Sequence, residues 1–217
     1  MTSLDEPRVG EIVIKFETEI TTITSCSKMC IVKHNGSIFR ASSDGVRGQI
    51  GTVKASVLNF STGLNLEISL QEIFRADSHT EKMFDAFTDN SGTRFKNKLN
   101  KEYDLEQCSS LLIIECIDID PQHRGLCIGL IVCDITCFTI GAGCGLVALK
   151  VCPLKFKGGD ITNEKVLQEY YRYIDFTRNT KKAVNKLKNH FMKIYFEELS
   201  DSILIRKPLR KLDLVCP

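Results

Sequence analysis

Residues Ile113 to Leu130, IIECIDIDPQHRGLCIGL, constrain the fold more than any other part of the chain. The isoleucine-rich start reads as a buried strand, Gln122 to Gly129 as a tight glycine turn, and the apolar residues from Leu126 as the opening of a helix. A strand that feeds a helix through such a turn predicts an α/β unit whose next strand returns parallel to the first, by a right-handed crossover. At the turn, backbone N–H groups without an intrahelical acceptor point outward from the positive end of the helix dipole, which suits a phosphate. A glycine turn alone is weak evidence, because many strand-to-helix connections contain one.

Here the register adds to it: Gln122, Gly125, Cys127 and Gly129 follow the strand and precede the helix. The segment resembles motif A of the GNAT family of N-acetyltransferases, whose loop reads Gln/Arg-x-x-Gly-x-Gly/Ala and grips the pyrophosphate of acyl-coenzyme A. Cys127 stands where that pattern has Gly or Ala. The resemblance covers about residues 111 to 206. It implies an α/β (α+β mixed sheet), GNAT-like fold in a single domain, with residues 1–110 a divergent strand-rich and helical part and 111–206 the coenzyme A-binding core. It also implies cofactor contact by Gln122, His123, Arg124, Gly125, Leu126, Cys127, Ile128 and Gly129, and main-chain pairing of the pantetheine arm along Ile117, Asp118 and Ile119. A dinucleotide-binding loop fits less well, because Asp120 to Arg124 intervene between the strand and the first glycine.

Acyl transfer to an amine needs a base for the amine proton, donors for the tetrahedral oxyanion and an acid for the leaving thiolate. Glu115 is the one charged residue between Leu111 and Ile117. Family members carry a base on this strand, so the resemblance makes Glu115 the candidate base; the alternative is a carboxylate held by a basic neighbour or facing water. The family's usual acid is a tyrosine in a pattern similar to Tyr-x-x-x-Gly-Phe. The corresponding stretch here runs from His190 to Phe196, with Phe191 at the tyrosine position. His190 is the candidate replacement acid, Tyr195 stands second, and the remaining alternative is no protein acid. The implied function is acyl-CoA-dependent N-acyl transfer, with acetyl-CoA or another acyl-CoA as cosubstrate and an unidentified amine as acceptor. The alternative is a non-catalytic GNAT-fold module that binds coenzyme A or a protein partner.

Composition narrows the other classes. The ten cysteines fall mostly in apolar segments and lack Cys-x-x-Cys knuckles, so they read as free core thiols and no metal site is proposed. The formal net charge of +2 is too small to imply a polyanion partner for the whole chain. Ten basic residues against three acidic ones between Arg178 and Lys211 make that stretch locally basic. It reads first as the solvated face of a helix with Ala183, Leu187, Phe191 and Ile194 turned inward, second as a contact for coenzyme A phosphates. Nucleic acid would also need interleaved aromatic residues, which this stretch lacks. No apolar run reaches the roughly 20 residues that span a bilayer. The N-terminus carries neither a basic start nor an apolar stretch, so the expected location is cytoplasmic.

Along the first half, Glu11 to Thr18, Met29 to His34, Ser37 to Arg40 and Gln49 to Phe60 read as strands. Asn35-Gly36 reads as a hairpin turn, and Ser42 to Gly45 and Ser61 to Gly63 as further turns. Two short helices are expected from Ser69, broken near Asp77-Ser78, and another near Phe95 to Leu99 within a polar loop. After the strand Leu111 to Ile119 come a helix from Leu126 to Ile140 closed by a left-handed glycine cap, and a strand from Leu146 to Cys152. Helices at Lys165 to Tyr173 and Thr180 to Phe196 and a strand at Ser202 to Arg206 complete the expectation. The early strands either complete the sheet across a long connection or form an elaboration.

Overall fold

The computed structural model describes residues 11–20, 25–41, 47–103, 105, 110–151 and 180–208. Among these residues seven strands form one mixed sheet in the order β1-β2-β3-β4-β5-β7-β6. β1 (Ile12–Ile20), β2 (Ile31–Ala41), β3 (Arg47–Asn59) and β4 (Ser110–Ile119) make an antiparallel meander. β5 (Leu146–Lys150) runs parallel to β4, as the strand–turn–helix unit requires, and β7 (Ile203–Arg206) lies antiparallel between β5 and β6 (Glu197–Ser200). The early strands therefore complete the same sheet, and the long connection between β3 and β4 supplies helices.

Those helices are α1 (Phe60–Asn65), α2 (Leu70–Arg75), α3 (Ser78–Glu81), α4 (Phe84–Phe87) and α5 (Asn97–Tyr103). They bury Phe60, Phe74, Phe87 and Leu99 on one face of the sheet, against Ile31, Leu58, Leu111, Ile113, Ala148 and Ile205. α6 (Ile128–Thr139) and α7 (Thr180–Met192) cover the other face, where Leu130, Cys133, Cys137 and Phe191 meet Leu112, Ile114, Val147 and Leu204. Because both faces are covered, Leu111 to Ile114 form a continuous apolar run rather than an alternating one. Each such side chain contributes about 1.5–3 kcal/mol by leaving water. No described helix is long and apolar enough to cross a membrane.

Several expected boundaries move, for physical reasons. Asn35-Gly36 is not a turn: β2 runs straight through it. Gly36 lies between Phe16 of β1 and Val53 of β3, and a Cβ there would come within 2.6 Å of Val53 Cγ1 and 2.8 Å of Phe16 Cε1. Glycine makes room for its neighbours in the sheet. Ser61 to Gly63 are helical because Asn59 caps α1, accepting from the Thr62 N–H at 2.9 Å. The break at Asp77 holds, since its side chain caps α3, but the chain breaks again at Lys82-Met83, giving three short helices from Leu70 instead of two. The helix expected at Phe95 to Leu99 begins at Asn97 and continues to Tyr103. α6 ends in a tight 3-10 turn at Gly141–Gly143 with Ile140 right-handed, so no left-handed glycine cap forms. Gly141 instead lets this turn sit close to the sheet, where a Cβ would be 3.1 Å from Leu112 Cδ2. α7 stops at Met192, and the next residues turn through left-handed Tyr195 into β6, a strand the sequence reading placed in no element. The expected turn at Ser42 to Gly45 and helix at Lys165 to Tyr173, with Cys152 of the fifth strand, lie outside the described residues.

One buried cation ties the second face together. Arg206 is 2% exposed and donates to Ile194 O and to Asp134 Oδ1, both at 2.8 Å, with its guanidinium stacked over the Phe196 ring. It thereby joins β7 to α6 and to the turn after α7. Removing one partner of such a pair leaves an uncompensated buried charge. Asp134→Ala is expected to lower the unfolding free energy in urea by about 3 kcal/mol, whereas a change below about 0.5 kcal/mol would show that the pair has no structural weight.

Candidate functional site

β4 pairs with β3 along its length but with β5 only from Leu111 to Ile114. On the β3 side Lys54 faces Cys116 while Ala55 faces Ile114, so Glu115 is the extra residue of a bulge. A bulge bends its strand and strengthens the local twist. Pairing with β5 ends one residue before it, and from Glu115 to Ile119 the edge of β4 toward β5 has no strand partner among the described residues. The bent end is held on β3 through Gly51, where a Cβ would collide with the Asp118 carbonyl.

The loop after β4 begins with a 3-10 turn at Pro121–His123. Asp120 N–H donates to Ile50 O at 2.8 Å, and Arg124 turns back so that its Nε donates to Ile119 O at 2.8 Å, with its guanidinium 3.7 Å from Asp118 Oδ1. Arg124 thus braces the strand end. Gln122, Gly125 and Cys127 are exposed, His123 and Leu126 are half-buried, and Ile128 is buried against Ile119, Val132 and Val53. Gly125 and Cys127 both adopt left-handed φ, +84° and +56°, on either side of Leu126. Left-handed residues of this kind are used in backbone nests that aim N–H groups at an anion. The N–H groups of Gly125 through Gly129 have no backbone acceptor among the described residues, the first helical bonds running from Leu130 and Ile131 to Cys127 O. Left-handed geometry at a cysteine costs about 1 kcal/mol or more that glycine would not incur, and such strain persists where the surroundings enforce it.

Glu115 faces the other way from α6. Ser56, fully buried on the face that carries α1 to α5, donates its hydroxyl to Glu115 Oε1. Lys33 of β2 stands near and bonds Asp77 Oδ2 at 2.6 Å, holding the start of α3 against the sheet. His190 lies on α7, on the opposite face, in edge contact with the Phe191 ring, and no hydrogen bond or ion pair joins it to Glu115. Phe191 is buried against Phe196, in the cluster that also holds Ile114 and Leu149. Tyr195, exposed and left-handed, borders a separate hollow of about 430 Å³ with Glu102, Tyr103, Glu197, Arg206 and Lys207. The structure therefore puts the loop directly after the end of β4 that carries Ile117 to Ile119, sets Glu115 at the bulge, and leaves His190 on the opposite face and Tyr195 at a separate hollow. Sequence reasoning missed Ser56, Lys33, Asp77 and Gly51, which come from distant segments and carry no local signal.

The basic stretch is partly consumed by structure: Lys188 pairs with Glu198 at 2.6 Å, Arg206 is buried, and Lys207 lies over the Tyr103 ring. Leu187, Phe191 and Ile194 face the core as expected. No cluster of three or more His, Cys, Asp or Glu suited to a metal occurs among the described residues. The chain matches no family model, and neither a curated protein nor a solved structure matches it significantly.

His190 is held below its ordinary pKa of 6.5 by burial, reinforced by Lys193 and Lys186, and His34 is lowered by burial. The unfolded chain binds these protons near 6.5 while the folded chain resists them, so their stability contribution is full above that pH and declines as pH falls through it. Urea unfolding at about pH 7.5 and about pH 5.5 should show lower stability at the acidic value. His34→Gln/His190→Gln should flatten that difference, and an unchanged pH dependence in the double variant would contradict the assignment.

Proposed function

We propose that this chain is an acyl-CoA-dependent N-acyltransferase with a GNAT-like fold, using acetyl-CoA or another acyl-CoA and acting on an unidentified amine. The observation that carries this proposal is the conjunction at the end of β4. A bulge frees the strand's main chain beside a loop with five available amides, and a carboxylate sits at the bulge itself. A free strand edge suits an amide-bearing arm such as pantetheine, which binds by strand addition. The amides and the positive end of α6 suit pyrophosphate.

In this scheme Gly125 to Gly129 hold the pyrophosphate through their N–H groups, and Ile117 to Ile119 align the arm. Glu115 accepts the proton lost by the attacking amine, directly or through one water. As the C–N bond forms, the C–S bond of the thioester breaks and its electron pair leaves on the thiolate, which takes a proton from solvent. A second proposal, a non-catalytic module that binds coenzyme A or a protein partner, is favoured by the burial of Phe191 at the position of the family's acid and by the separation of His190 from Glu115.

Gly129 offers a cleaner test of the loop than Gly125, whose φ of +84° penalises any side chain. A Cβ on Gly129 meets nothing within 4 Å, and in the first turn of a helix it points back toward the N-terminus, into the space an anion would fill. Valine is also no poorer a helix former than glycine. Gly129→Val should keep its melting temperature and bind coenzyme A at least about tenfold more weakly by calorimetry, the loss expected for one charge-assisted hydrogen bond. Unchanged affinity in the folded variant would remove the phosphate assignment.

Glu115→Gln should keep coenzyme A affinity and lower thiol release with an accepted amine by about 100-fold. If wild type binds coenzyme A but releases no thiol over a broad amine panel, the non-catalytic proposal replaces the enzyme.

A further inference from the structure

We infer that Ser56 is a positioning residue for Glu115, fixing Oε1 so that Oε2 is presented to the acceptor amine; this rests on the acyltransferase proposal above. Ser56 is 0% exposed between Ala55 and Val57 of β3, and its hydroxyl donates to Glu115 Oε1 across a bulge that would otherwise leave the carboxylate free to swing. A buried hydroxyl costs free energy unless it is hydrogen-bonded, and here Glu115 is its partner. The nearest alternative anchor is already engaged: Lys33 bonds Asp77 at 2.6 Å, and Asp77 in turn accepts from the His79 N–H at 2.8 Å. Lys33 is raised above its ordinary pKa first by that hydrogen bond, with the charge of Glu115 a smaller cause, so its ammonium stands in electrostatic range of Glu115 without an ion pair between them. No hydrogen-bond partner occupies Glu115 Oε2 among the described residues. One oxygen is thus tied down by β3, and the other is available for a proton.

A base held in place acts more efficiently than one that must be oriented in each turnover. Steady-state kinetics with acyl-CoA and an accepted amine test the role. Ser56→Ala should lower kcat about tenfold with the KM for acyl-CoA unchanged, and Ser56→Thr, which restores the hydroxyl, should recover most of it. In the Glu115→Gln background Ser56→Ala should have no further effect on kcat, because Ser56 acts only through Glu115. Where the alanine variant does not fold, Ser56→Cys, similar in volume and a weak donor, should show an intermediate fall in kcat with the same KM. Wild-type turnover with an unchanged kcat in the folded Ala or Cys variant overturns the positioning role and leaves the acyltransferase proposal standing. An equal loss in both backgrounds does the same. Absence of wild-type turnover overturns both.

Discussion

The bulge at Glu115 is the constraint on which the rest of the site depends. β4 is the strand around which the sheet is built, with β3 on one side and β5 on the other, and its apolar run is buried on both faces. A straight strand would keep that pairing to its end and close the sheet. One extra residue bends β4 away just past Ile114, and β5, only five residues long, does not follow it. The unpaired end of β4 therefore arises from a mismatch between two strands, and the loop follows directly after it. Gly51 matters for the same reason: it lets β3 follow the bent strand closely enough that the bend stays ordered.

The two faces of the sheet then divide the work. The loop and α6 are anchored by Ile128 and Val132 on one face, and α6 is tied to β7 through Asp134 and Arg206, so the free amides at its N-terminus stand on a helix that is fixed along its length. The carboxylate belongs to the other face, where α1 to α5 form the surroundings, Ser56 bonds Glu115 and Lys33 bonds Asp77. The proposed site would thus draw its loop from one face of the sheet and its carboxylate from the other.

Much of this architecture is legible in the chain. The strand from Ser110, the loop and α6 are plain because an apolar run, a turn and a second apolar run succeed one another within twenty residues, and the parallel return of β5 follows from connection length. What was not legible depends on partners distant in sequence. Asn35-Gly36 has the composition of a turn, and only the presence of Phe16 and Val53 on either side explains why it is strand. The bulge is hidden for another reason: Leu111 to Ile114 are apolar on both faces, so they carry no period-two phase against which an inserted residue would register. The role of Ser56 is equally silent, since a lone serine in a strand acquires meaning only once β4 is laid beside it. β7 was legible at Ser202 to Arg206, but β6 escaped because Tyr195 takes a left-handed turn where no glycine marks it.

Among the described residues no acid bonds Glu115, which weighs less on the proposed chemistry than the lack of a base would. An alkyl amine with a pKa near 10.4 is neutral in only roughly one molecule in 10³ at neutral pH, and the nitrogen must still shed a proton after attack. A thiol with a pKa near 8.5 leaves as an anion that water protonates without much cost. The demand for proton management therefore falls on the nucleophile's side of the reaction, which is the side where this fold sets a carboxylate at a bend and fixes it with a buried hydroxyl. At the position where the resembled family carries its acid, the chain has Phe191, packed into the core. A site arranged this way is expected to favour acceptors whose amines are already partly neutral, and turnover that rises with the acceptor's neutral fraction follows from the same asymmetry.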